Sequence, residues 1–174
     1  MNEADGRRTA LSRLALLTAL ALYASIAITV VVAGPDEVVG HFGGGGRPTR
    51  LDPTGPFVLT MSLVVAALVS LFAATPALVR RIPIEFVNVP NREKWNTPEL
   101  RDVLARRVGA DMMFITAATV LLMAGMLVLS ALGGLGEVPP GWVFPLSLAA
   151  YLALIGVSIV QMYRGGRYEP PAPE

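Results

Sequence analysis

The sequence predicts an all-α membrane protein, four transmembrane helices in a bundle, with a short amphipathic interfacial helix before the third span. Three observations predict it. First, 53% of the 174 residues are hydrophobic and only 16% are charged, where a soluble domain carries about a quarter charged residues. Second, uninterrupted apolar runs fall at 11–33, 57–79, 112–132 and 142–163, broken only by Arg13 at the edge of the first. Each is about 20 residues, enough at about 1.5 Å per residue to cross a hydrocarbon core of about 30 Å. Third, these runs are apolar around their whole circumference, unlike the one-sided stripe of a soluble helix. Residues 1–174 therefore read as a single integral membrane domain.

The first span follows Arg7 and Arg8 and closes at Ala33-Gly34, a small-residue end of the kind that signal peptidase accepts. It outruns the 7–15 residues typical of a secretory segment and so reads as an uncleaved anchor. The outer loop, 34–56, is dense in glycine and proline, including a run of four glycines at 43–46, and reads as a flexible turn without a helix through its middle. The run lacks the Lys-Ser/Thr that completes a phosphate-binding loop. His41 beside Asp36, Glu37 or Asp52 has the chemistry of a weak metal or pH-sensing site, but a lone imidazole among carboxylates is more often a solvated loop residue. In the second span Pro76 is expected to end or bend the helix near its last turns.

The central loop, 80–111, has two parts. Residues 82–90, apolar with a proline near each end, should be extended and lie against the membrane face or the bundle. A helix then starts: Asn96 or Thr97 can cap it, Pro98 suits its first turn, and Glu99 places negative charge at the positive end of the dipole. Leu100, Val103, Leu104 and Val108 share one face while Arg101, Arg106 and Arg107 fall mostly elsewhere, the pattern of a helix in the headgroup region. Trp95 reads most simply as an interfacial anchor, with a docking surface as the other reading. Within the spans, Ala66 with Ser70, and Ala149 with Ala153 and Gly156, are spaced to let helix backbones approach.

The basic residues orient the chain. Arg7, Arg8 and Arg13 precede the first span, seven more from Arg80 to Arg107 lie in the central loop, and Arg164 and Arg167 end the chain, leaving only Arg47 and Arg50 of the 14 for the outer loop. The positive-inside rule places both termini and the central loop in the cytoplasm. A single Lys among the basic residues, with abundant Ala, Gly, Val, Pro and Arg, suggests a GC-rich bacterial genome, and hence a plasma-membrane location.

Composition narrows function more by exclusion. Without cysteine, and with His41 as the one histidine, there is no disulfide framework, thiolate nucleophile or cysteine-ligated metal, and no cofactor is implied. A net charge of +1 argues against nucleic acid as a partner. The spans carry hydroxyls but no ionisable group near a midplane, which weighs against ion-coupled transport. An enzyme would have only His41 and Asp36 as an acid–base pair, with no recognisable nucleophile.

Two stretches carry a family resemblance. Pro35-Asp36, Val38-Val39, His41-Phe42, Gly46 and Pro48 follow the first span, and Asn88-Val89-Pro90-Asn91-Arg92, Trp95, Pro98-Glu99 and Arg101 precede the third. In this order they resemble the signatures of a bacterial membrane domain of unknown function that also forms the N-terminal part of SdpI-type immunity proteins, which protect cells from a secreted peptide toxin. The resemblance covers most of residues 11–132. Distinctive residues concentrated in two loops on opposite sides favour a non-enzymatic sensing, signalling or immunity-type component that meets a peptide or envelope partner through the outer loop around His41 and Phe42, while the basic central loop meets a cytoplasmic partner or anionic lipid. The competing reading is a small transporter or channel subunit acting as a homo-oligomer.

Overall fold

The computed structural model describes residues 3–89, 91–164 and 168–169. Four helices are long and apolar enough to cross a membrane: α1 (Glu3–Ala33), α2 (Thr54–Arg81), α3 (Pro98–Gly134) and α4 (Val143–Arg164). The sequence did not announce a strand, but the first connection is an antiparallel hairpin of β1 (Glu37–Phe42) and β2 (Pro48–Pro53), joined by a 3-10 turn at Gly44–Gly46. The loop between them is therefore built rather than a flexible turn. Its Gly43 N–H donates to the Arg47 carbonyl at 2.8 Å, and Gly45 and Gly46 take positive φ.

Cross-contacts give the helix directions. Arg8 of α1 pairs with Asp111 near the start of the apolar part of α3, and Val39, just past the end of α1, lies against Gly133 at the end of α3. α1 and α3 therefore run parallel. α2 runs against them, since Arg80 at its end meets Asp102 of α3. α4 is also antiparallel to α3, with Phe144 at the hairpin and Tyr151 bonded to Thr119. The start of α1 and the end of α4 thus lie at one end of an up-down-up-down bundle and the hairpin at the other.

α3 is the central helix and α4 the peripheral one; 28% of the most apolar stretch of α3 is buried within the protein against 6% for α4. The main core is a seam of Ala19, Tyr23, Ala27 and Val30 on α1 against Ala117, Val120, Ala124, Leu127 and Ala131 on α3, closed by Val58 and Val65 of α2. The α3 positions alternate in steps of three and four, the repeat that keeps one face on a near-parallel neighbour. Alanines in this seam permit the close approach. The small residues singled out by spacing, Ala66, Ser70, Ala149, Ala153 and Gly156, are instead all exposed.

Hydroxyls in the spans donate back to their own helices, as Thr116 does to the Met112 carbonyl at 2.7 Å, or bridge neighbours, as Tyr23 does to Ser62 at 3.2 Å. Pro76 does not end α2, which continues to Arg81; its ring packs where Gly109 of α3 has no side chain.

The expected interfacial helix is not a separate element. α3 is one helix of 37 residues, about 55 Å long, and so overshoots a hydrocarbon core by several turns at its N-terminal end. The apolar stripe of those turns is covered by protein rather than lipid. Leu104 and Ala105 are fully buried in a second cluster with Val79, Ile84, Val87, Trp95 and Tyr168, and Leu100, Val103 and Val108 pack against it. Residues 82–97 supply most of that cover through two 3-10 turns, Ile84–Phe86 and Arg92–Trp95, and are less extended than the prolines suggest.

Candidate functional site

At the hairpin end, β-branched Val38 and Val39 pin β1 to the bundle; both are completely buried. Val38 and Val39 pair in regular register with Asp52 and Leu51, so with both buried the strand is covered on both faces here; the register then shifts between Val39 and His41, a bulge at Gly40. Glycines on α3 receive the strand: a Cβ on Gly133 would lie 2.6 Å from a Val39 methyl, and one on Gly134 would lie 2.2 Å from the Glu37 carbonyl oxygen. At the tip, Gly46 (φ +80°) rests against the backbone of Pro139 and Gly141, where a Cβ would be 3.0 Å from both. The preceding Schellman turn ends α3, with Glu137 N–H bonded to the Leu132 carbonyl at 2.9 Å and Gly136 N–H to that of Gly133 at 3.1 Å.

The outer-loop motif residues divide by role. Pro35 and Asp36 present backbone carbonyls to Thr54, which donates its hydroxyl to the first at 2.5 Å and its N–H to the second at 3.0 Å, fixing the start of α2. Pro48 pairs with Phe42 across the hairpin. Phe42 stacks at a tilt on Phe144, ring centroids 4.7 Å apart. His41 contacts Thr49, Nδ1 to Oγ1 at 2.6 Å, while that hydroxyl lies 3.1 Å from the His41 carbonyl. Both contacts are satisfied when Thr49 donates its one hydroxyl proton to the carbonyl and accepts from an Nδ1–H of the imidazole. Asp52 is held by Arg50 at 2.8 Å rather than by His41, and among the described residues no group of three or more His, Asp or Glu side chains could hold a metal ion.

Beneath the hairpin is a hollow of about 710 Å³. Its walls are Phe42 and the glycine tip above, Phe57 and Met61 of α2, Met123, Met126 and Ser130 of α3, and Phe144 of α4. Thioether side chains are unbranched and polarisable, so such a surface adapts to varied apolar shapes.

At the terminal end, the motif before α3 is structural in its centre. Trp95 is completely buried, which overturns its reading as an interfacial anchor; Trp142, 63% exposed at the start of α4, has the exposure that an anchor requires. The Arg107 guanidinium lies over the Trp95 ring, 5.7 Å from its centroid. Asn91 takes a left-handed conformation (φ 53°) that starts the 3-10 turn, and Arg92 donates to the Glu85 carbonyl at 3.3 Å. Thr97 is the cap of α3, accepting from Leu100 N–H at 3.4 Å, with Pro98 in the first turn and Glu99 exposed beside it. Arg101 donates to the Ile82 carbonyl. Asn88 is exposed; Pro90 and Arg167 lie outside the described residues.

The sequence reading missed the ion pairs that close this end. Asp111, all but inaccessible, pairs with Arg8 at 3.0 Å and accepts from the Tyr168 hydroxyl at 2.7 Å. Arg107 pairs with Asp5 at 3.0 Å and donates to the Glu169 carbonyl at 2.9 Å. The available signal was Asp111 itself, an acid at the head of an apolar run, which demands a cation. No protein-family profile matches the chain, and no curated protein or solved structure is significantly similar to it.

Proposed function

We propose that the protein is a non-enzymatic sensing, signalling or immunity-type component of a bacterial plasma membrane, recognising an apolar peptide or envelope component at its hairpin. The observation that carries this reading is the methionine- and phenylalanine-lined hollow beneath a hairpin whose backbone is pinned on three sides. A preformed, mostly apolar cavity with few polar groups suits a hydrophobic ligand. Affiliation with the membrane domain shared with SdpI-type immunity proteins belongs to the same proposal. It is supported by the two motifs occupying opposite ends of the bundle.

The hairpin faces the outside and both termini the cytoplasm. Support comes from the charge distribution: Arg7, Arg8, Arg80, Arg81, Arg106 and Arg107 gather at the terminal end, with only Arg47 and Arg50 at the hairpin. On that reading the first turns of α3 and the segment covering them stand at the cytoplasmic headgroup level.

A photoreactive phenylalanine analogue at Phe42, with a second strain carrying it at exposed Leu51 as control, tests the proposal in native membranes. The expected result is a discrete peptide or protein adduct at position 42 and none at 51. Lipid and self-adducts alone at position 42 overturn it.

A further inference from the structure

A second hollow, at the opposite end of the molecule, is amphipathic along its length. It measures about 1000 Å³ and opens between α1, α3 and α4. Its mouth carries Arg7, Arg8 and Ser12 of α1 and Ser158 and Gln161 of α4; Glu3 is the one carboxylate in its wall. Arg7 is exposed and has no ion-pair partner among the described residues, while Arg8 keeps a side-chain exposure of 37% beyond its bond to Asp111. The mouth stands level with Asp111, where the polar part of α3 gives way to the apolar run from Met112. Polar and apolar walls therefore meet at the depth of a membrane surface.

Further in, the walls are Leu11, Ala15, Phe114, Leu154 and Val157. Leu154 also lines a neighbouring apolar hollow of about 580 Å³ between α3 and α4, walled by Leu121, Leu122 and Gly125. Leu154 borders both, so the two hollows adjoin. Taken together as one crevice, from Gln161 to Tyr151, they follow α4 for about 15 Å, half the thickness of a hydrocarbon core.

We propose that this crevice is a phospholipid site. The phosphodiester of a lipid from the leaflet on the side of the termini sits between Arg7 and Arg8, and Gln161 serves its headgroup oxygens, while the Ser158 hydroxyl donates to the Leu154 carbonyl at 2.9 Å within α4. One acyl chain runs past Phe114 and Leu154 into the hollow between α3 and α4. Charge complementarity selects the occupant: the mouth supplies guanidinium donors suited to phosphate, and the interior is mostly apolar, its hydroxyls Ser147 and Tyr151 being bonded to the Val143 carbonyl and to Thr119. The peripheral α4, loosely seated on α3, gains a second contact through the lipid. Neither the hairpin nor its partner enters this argument.

The test uses the full chain purified in mild detergent, titrated with dioleoyl phosphatidylglycerol and read by native mass spectrometry, with phosphorus analysis of the lipid extract. One retained phospholipid per chain is expected. Arg7→Gln should weaken binding roughly fivefold, the worth of one cation near a lipid headgroup, and Leu154→Trp should lower occupancy with both arginines intact. Arg13→Gln, exposed on the same helix but outside the crevice, should leave occupancy unchanged. Equal occupancy in the wild type, Arg7→Gln and Leu154→Trp overturns the proposal, as does an extract without phosphorus-bearing lipid or a crosslink at Leu154 to a second copy of the chain.

Discussion

Asp111 has a side chain only 1% exposed and faces Arg8, which keeps 37%, so the two partners should respond unequally to removal. Arg8→Ala takes one cation from a carboxylate that stays buried beside the Tyr168 hydroxyl. Its expected cost is about 2–4 kcal/mol, because weakening the compensation of a buried charge is expensive. Asp111→Asn leaves a guanidinium that reaches water, at about 1 kcal/mol. The double variant should cost less than the sum, as measured by denaturant unfolding followed through Trp95 fluorescence; strict additivity would refute the pairing. The burial of Trp95 was misread from the sequence, and the pairing of Asp111 missed, for one physical reason. A residue's burial depends on what folds over it, and the cover on Trp95 comes partly from Tyr168, far along the chain. Thr97 and Pro98, by contrast, act within one turn of themselves and were legible.

Among the elements, α2 and α3 meet where Pro76 occupies the space left by Gly109; a Cβ there would lie 2.7 Å from the proline Cγ. Gly109→Val should therefore destabilise the bundle by about 1–3 kcal/mol through overpacking. Adding Pro76→Ala should recover part of that loss, a coupling visible in the thermal midpoint of the purified protein. No recovery would place the strain elsewhere. The four helices were readable from apolar length alone, within a few residues for α2 and α4. The hairpin was not, because Val38 and Val39 are buried on both faces of β1 and a bulge at Gly40 follows them, so the apolar–polar alternation of a half-buried strand does not develop. Nor was the seam of α1 on α3 legible: alanine is abundant throughout, and only packing distinguishes the buried alanines from the exposed Ala66, Ala149 and Ala153.

For the whole molecule, alternation of the four helices puts the hairpin and the charged cluster at opposite ends, and the absence of cysteine makes that arrangement easy to read. Thr49→Cys and Glu93→Cys, both at exposed positions, should react differently with a membrane-impermeant maleimide. Labelling at 49 in intact cells, and at 93 only after permeabilisation, is expected from the arginine distribution. The reverse pattern would invert the proposed orientation and move the recognition hollow to the cytoplasm.

The number and order of the helices long and apolar enough to cross a membrane, and the lengths of α2 and α4, followed from the sequence by itself, because each depends on a contiguous run of apolar residues. The start of α3 followed too, since a cap and a first-turn proline act locally. Only the tertiary structure decided that α3 continues unbroken from the terminal end through the bundle, that its polar-end stripe is roofed by residues 82–97, and that Arg8 and Arg107 neutralise Asp111 and Asp5. It also decided where the two large hollows lie. Such features arise from groups brought together across long stretches of chain, and neither periodicity nor composition encodes which distant surfaces will meet.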